Sequence, residues 1–91
     1  MQKKRFLISK QLKIRRDNPN CILVFDPEND FFYEFNKTGS EIFLLIEKKA
    51  LSKEILKTLE GKYKSSSNKI EKDFNNFIKR LIKLKIIYEE K

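Results

Sequence analysis

The chain alternates apolar and polar positions in its first half and repeats apolar positions at intervals of three and four in its second. In "QLKIRR", Leu12 and Ile14 alternate with Lys13 and Arg15, the period of a half-buried strand. "FLIS", just before it, either extends that strand or forms a separate arm. "DNPN", Asp17 to Asn20, carries turn chemistry, with Pro19 setting the bend. "CILVF", Cys21 to Phe25, is apolar at every position, which predicts a central strand covered on both faces. In "DPEND", Pro27 suits the second position of a turn and Asn29 is able to take a positive φ. "FFYEF" is then the return strand, with Phe31, Tyr33 and Phe35 on one face and Phe32 and Glu34 on the other. Residues 21 to 35 therefore read as a hairpin.

The second half reads as three helices. Thr38-Gly-Ser-Glu41 has the form of a capping box, and Ile42, Leu45, Ile46 and Lys49 share a face of the helix it opens. Ser52 suits the N-cap of a second helix, flanked by Leu51 and Leu56 at the spacing of a hydrophobic staple. Its buried stripe is Ile55, Leu56, Leu59 and Tyr63, and Gly61 weakens its last turn. "KSSSN" breaks the pattern and offers Ser66, Ser67 or Asn68 as cap of a third helix from about Lys69 to Leu84. Ile70, Phe74, Phe77, Leu81 and Leu84 mark the core face of that helix; Ile78 and Ile82 widen the stripe on one side, next to Asn75, and Lys72, Lys79 and Lys83 lie opposite. Three strands followed by three helices predict one α+β domain over residues 1–91, a three-stranded antiparallel sheet with helices on one side.

Composition narrows the chemistry. At 91 residues with 40% apolar residues, the chain holds a single modest core, for which eight Phe and three Tyr supply the bulk. The formal charge of +8 favours acidic partners, yet the basic residues run from Lys3 to Lys91 with no dense block, the distribution of a solvated surface rather than of a nucleic-acid footprint. Histidine is absent, which removes the commonest general base and metal ligand, and the single Cys21 excludes an intramolecular disulfide and a CxxC metal site. Cys21 lies in an apolar strand, where a buried and inert thiol is expected. Gly39 and Gly61 cannot build a phosphate-binding loop. No catalytic constellation and no cofactor site emerge, so the reading is a binding protein and not an enzyme. The start of the chain lacks the apolar stretch of a signal peptide and no apolar run approaches a membrane span, which makes the cytoplasm the default location.

A small sheet with helices on one side leaves a strand edge open, and an open edge is a template for a guest strand. The residues around that edge carry a resemblance. Phe35-Asn36, Thr38-Gly39 and Glu41-Ile42 at the first helix, Ser52, Ile55, Leu59 and Tyr63 in the second, and Asp73, Phe77-Ile78 and Leu81 in the third match in order and spacing the pattern of the pyrroloquinoline-quinone biosynthesis protein D family, PqqD. The "IRR…ILVFDPEND" segment resembles the opening strands of the same domains, whereas Lys85 stands where family members often have Gly after the third helix.

This family is the RiPP recognition element, which binds the leader segment of ribosomally made precursor peptides. The resemblance implies a winged-helix-like fold in which the leader adds as a strand to the third strand and lies in a groove against the third helix, while a tailoring enzyme, often a radical SAM protein, modifies the rest of the peptide. It thus implies a stand-alone peptide-binding domain that presents its guest to such an enzyme. On this chain the implied site is the strand Phe31, Phe32, Tyr33, Glu34 and Phe35, with Ile78 and Ile82 as the apolar wall, Asn75 and Lys79 as its polar rim, and Lys79 and Lys83 placed to pair with acidic side chains of the leader. Two other readings stay open: a winged-helix DNA-binding module, for which the second helix offers Lys53, Lys57 and Lys62 but no Arg, and an adaptor that docks on a maturase without holding a peptide. A homodimer, with a second copy covering "CILVF", is the remaining partner the pattern allows.

Overall fold

A computed structural model describes residues 4–64 and 66–90, so both ends of the 1–91 unit lie outside the described residues. In chain order the elements are β1 (Phe6–Ile8), β2 (Lys13–Arg15), β3 (Leu23–Asp26), β4 (Phe31–Glu34), α1 (Lys37–Glu47), α2 (Ser52–Lys62), α3 (Ser67–Lys83) and β5 (Ile87–Glu89). The α+β architecture expected from the pattern is present: β2, β3 and β4 form a three-stranded antiparallel sheet in that order, and three helices follow. The register sets Ile14 opposite Val24 and Val24 opposite Tyr33, so one face of the sheet gathers the apolar side chains that meet the helices. Phe35, Phe43, Ile46, Ile55 and Leu81 complete the core beneath it.

The central strand departs from the expectation of cover on both faces. Ile22, Val24 and Asp26 are buried, but Leu23 is half-buried and Phe25 is 38% exposed. The strand thus obeys the period of two despite its apolar composition, because the helices cover one side only. Asp26 is buried because it is the keystone of the hairpin turn: its carboxylate accepts from the side chains of Asn29 (2.8 Å) and Gln11 (3.3 Å) and from the Glu28 and Asn29 amides. These donors, Asn29 first, hold the Asp26 carboxyl below its ordinary range against the opposing effect of burial. The positive φ of the turn falls on Asp30, at 50°, rather than on Asn29.

"FLIS" forms a separate arm. β1 pairs antiparallel with β5, Leu7 opposite Tyr88, in a second, two-stranded sheet that the pattern of the C-terminal segment did not announce. Helix starts also shift. Asn36, not Thr38, caps α1, accepting from the Gly39 amide at 2.8 Å, and Glu41 reaches α2 instead of its own cap, accepting from Lys62 Nζ (2.5 Å) and the Tyr63 hydroxyl (3.0 Å). Leu51 occupies the cap of α2, its amide held by the Glu54 carboxylate at 2.8 Å, while Ser52 is the first helical residue. Of the three candidates Ser66, Ser67 and Asn68, Ser66 caps α3, accepting from the Lys69 amide.

α3 ends on a left-handed turn at Lys85, the position where the resemblance leads Gly to be expected. Lys85 itself adopts φ 62°, its amide bonding to the Ile82 carbonyl and that of Ile86 to the Leu81 carbonyl. Lys49 closes α1 in the same way, at φ 63°, with Ala50 bonding back to Leu45. A side-chain-bearing residue in this region costs about 1–2 kcal/mol, and glycine offsets part of that gain through its freedom when unfolded. Lys85→Gly should therefore raise stability by about 0.5–1 kcal/mol in urea denaturation, while Lys85→Ala should not.

Candidate functional site

β4 is an edge strand, and its hydrogen-bond phase decides what that edge offers. The Phe35 amide donates to the Ile22 carbonyl at 2.9 Å, so Ile22 and Phe35 face each other as a hydrogen-bonded pair. In an antiparallel ladder such pairs alternate with pairs whose backbone groups point away. With Leu23 opposite Glu34 and Phe25 opposite Phe32, the backbone groups of Tyr33 and Phe31 engage β3, and those of Phe32 and Glu34 turn outward. Among the described residues no strand covers that outer edge.

The junction to α1 is fixed by Ser40. The Ile22 amide donates to Ser40 Oγ at 2.9 Å, and the hydroxyl makes a longer 3.4 Å contact to the Phe35 carbonyl, which carries the ladder onward through a helix side chain. Ser40 is fully buried. This relay, together with the Asn36 cap, is why the chain passes from strand to helix with no linker.

A groove of about 410 Å³ runs beside this edge, between the end of β4, the start of α1 and α3. Aromatic rings floor it: Tyr33 meets Phe35 edge-on (4.8 Å) and Phe35 meets Phe77 edge-on (5.9 Å), while Phe31, outside the lining, stacks on Tyr33 (centroids 6.1 Å apart). Gly39 lets these rings approach, since a Cβ there would lie 3.2 Å from Phe77 and 3.3 Å from Phe35. The polar lining is Glu34 on β4, Asn36, Thr38 and Tyr63 at one end, and Asp73 and Arg80 along α3. The Glu34 carboxylate accepts from Cys21 Sγ at 3.2 Å. That contact, then burial, holds the Cys21 thiol above its ordinary value, and the thiol is half-buried rather than buried.

The structure places the residues named from sequence on two sides of α3. Tyr33, Glu34 and Phe35 line the groove, Phe31 stacks beside Tyr33, and Phe32 stands 58% exposed on the outer face of the sheet. Asn75, Ile78, Lys79 and Ile82 instead line a separate cleft of about 210 Å³ against α2 and β1, with Ile78 itself 6% exposed in the core. Lys83 is exposed at the last turn and lines neither. At about 100° per residue, Asn75 and Lys79 lie roughly 160° around the helix from Phe77, whereas Asp73 and Arg80 lie within about 60° of it. The wall facing β4 is thus Asp73, Phe77 and Arg80: Phe77 packs against the core, as its place on the helix stripe implies, and closes the groove as well, whereas Ile78, expected on the groove side, is buried. An i, i+4, i+7 row of one ring between two opposite charges was the signal available in sequence.

The family model of coenzyme PQQ synthesis protein D (PqqD) matches residues 21–87. A solved structure described as TbiB1 in complex with the TbiA(beta) leader peptide superposes with a TM-score of 0.82 at 18% sequence identity, covering 88% of this chain and 92% of that one, which establishes a shared fold. Comparison with curated protein sequences yields no match.

Proposed function

The chain belongs to the PqqD family, and from that premise we propose that it binds the leader segment of a ribosomally made precursor peptide as an added strand on β4. The observation that carries this reading is the outward backbone of Phe32 and Glu34 lying directly beside an aromatic-floored groove. Backbone pairing supplies affinity with little sequence preference, and the groove supplies pockets for alternate side chains of the guest. The solved relative was itself captured with a leader peptide.

The chain acts as a stand-alone cytoplasmic recognition domain, without catalysis or cofactor of its own, that presents its guest to a tailoring enzyme of the radical SAM class. The exposed Phe25 and Phe32, opposite one another on the outer face of the sheet, offer that enzyme or a second copy of the chain a place to dock. No described helix is long and apolar enough to cross a membrane. The DNA-binding alternative finds less support: of the three α2 lysines, Lys62 is engaged by Glu41, whose hydrogen bond raises its pKa.

Fluorescein-labelled synthetic peptides covering the N-terminal halves of short reading frames beside the gene, titrated by anisotropy, test the proposal. One of them should bind saturably, with amide-exchange protection appearing at Phe32 and Glu34. Saturable binding that leaves those two amides unprotected would refute strand addition on β4.

A further inference from the structure

We propose that Arg80 reads an acidic side chain of the bound peptide, two residues along from the apolar side chain that fills the space over Phe77. The inference rests on strand addition at β4 and names the peptide class that this site takes.

Arg80 stands apart from the other arginines. The chain has four. Arg5 donates to the Lys49 carbonyl and pairs with Glu90, Arg15 pairs with Asp17, and Arg16 pairs with Glu47. Arg80 has no carboxylate partner among the described residues, and it is the only basic residue lining the groove there. A planar guanidinium held on a helix beside a peptide edge is suited to a carboxylate, which it can engage through two parallel hydrogen bonds.

The spacing follows from the two periodicities. Guest residues opposite Tyr33 and Phe35 point to the same face as those residues, into the groove, and successive groove-facing side chains are about 6.7 Å apart. Arg80 lies three residues from Phe77, about 4.5 Å along the helix axis, and its long side chain spans the remainder. If the first groove-facing side chain rests on Phe77 and Phe35, the next one meets Arg80. On the other side of Phe77 stands Asp73, one turn away and paired only with Lys69 at 3.2 Å in an exposed setting. An acidic guest residue there is repelled. The pair of opposite charges flanking one ring therefore selects an acid on one side of the anchor and rejects it on the other, which fixes register and direction.

The +8 charge of the chain attracts acidic peptides wherever they touch, so the test must separate position from net charge. Random twelve-residue peptides displayed on yeast are selected against the wild-type chain, Arg80→Glu, Arg80→Gln and Lys72→Glu, and sequenced. Lys72→Glu makes the same charge change as Arg80→Glu at an exposed residue away from the groove. Wild type and Lys72→Glu should enrich Asp or Glu about five-fold, two positions to one side of an aromatic or aliphatic anchor, the factor expected of an exposed ion pair. Arg80→Gln should lose that preference, and Arg80→Glu should replace it by Lys or Arg with the anchor unchanged. Anchors enriched without a flanking acid, or an acidic preference that survives Arg80→Glu or falls equally with Lys72→Glu, would overturn the role of Arg80 and leave strand addition standing. Should no peptide be enriched by any of the four proteins, strand addition fails and the inference with it.

Discussion

Phe32→Pro is expected to abolish peptide binding and leave the fold standing, whereas Tyr33→Pro, one residue on, is expected to unfold the hairpin. The contrast comes from the phase of the ladder. The Phe32 amide points away from β3, so proline removes a donor that no described residue uses, at a position where an edge strand tolerates it. A guest strand loses that hydrogen bond, net about 1 kcal/mol, and meets a ring where it must approach, so affinity should fall more than ten-fold. The Tyr33 amide points into the sheet toward Val24. Proline there leaves a buried acceptor unpaired, at about 1–3 kcal/mol, and removes a ring packed between Phe31 and Phe35. That is a large share of the roughly 5–14 kcal/mol that a domain of this size has to lose. Circular dichroism melts, with anisotropy against the tightest displayed peptide, separate the two variants. If Phe32→Pro unfolds and Tyr33→Pro does not, the outward edge has been assigned to the wrong amides.

The elements with a clear period were legible in the sequence, and those fixed by a single distant partner were not. β2 and β4 follow from alternation, β3 from an unbroken apolar run, and the three helices from spacings of three and four. β1, already open as a separate arm, and β5 are held by pairing with each other across the length of the domain, which no local pattern records. The caps show the same division. Ser66 was one of three candidates, with Ser67 and Asn68, that local chemistry does not rank, while Thr38 and Glu41 fit a capping box that α2 dismantles by offering Lys62 and Tyr63 to the carboxylate. The site was half legible. Its strand could be named from the sequence; on α3 the row Asp73, Phe77, Arg80 is visible there too, but that helix is apolar on two sides and packing decides which side closes the core. Ile78 and Phe77 are neighbours on that stripe; the core took the branched residue and left the ring at the groove.

Ser40→Ala is expected to cost about 2 kcal/mol, far more than loss of a hydroxyl usually does within a helix. The hydroxyl is fully buried and is the acceptor of the Ile22 amide, so alanine strands a donor away from water at a cost of about 1–3 kcal/mol. Alanine's better helix propensity returns roughly 0.5 kcal/mol of that. Direct pairing of the Ile22 amide with the Phe35 carbonyl would relieve it, but the strands would have to close by the width of the missing oxygen. Phe35 resists that movement, its ring held between Phe43 at 5.0 Å and Phe77 at 5.9 Å. Whatever closure does occur draws Phe35 away from Phe77 and reshapes the floor of the groove, so peptide affinity should fall together with stability. The expected melting shift is roughly 8–16 °C for a domain of this size. In urea the midpoint should drop with an unchanged slope, as it does when stability changes and compactness does not. A loss below about 0.5 kcal/mol would mean that the ladder closes without its relay, and that the strand-to-helix junction is held by the Asn36 cap and ring packing alone.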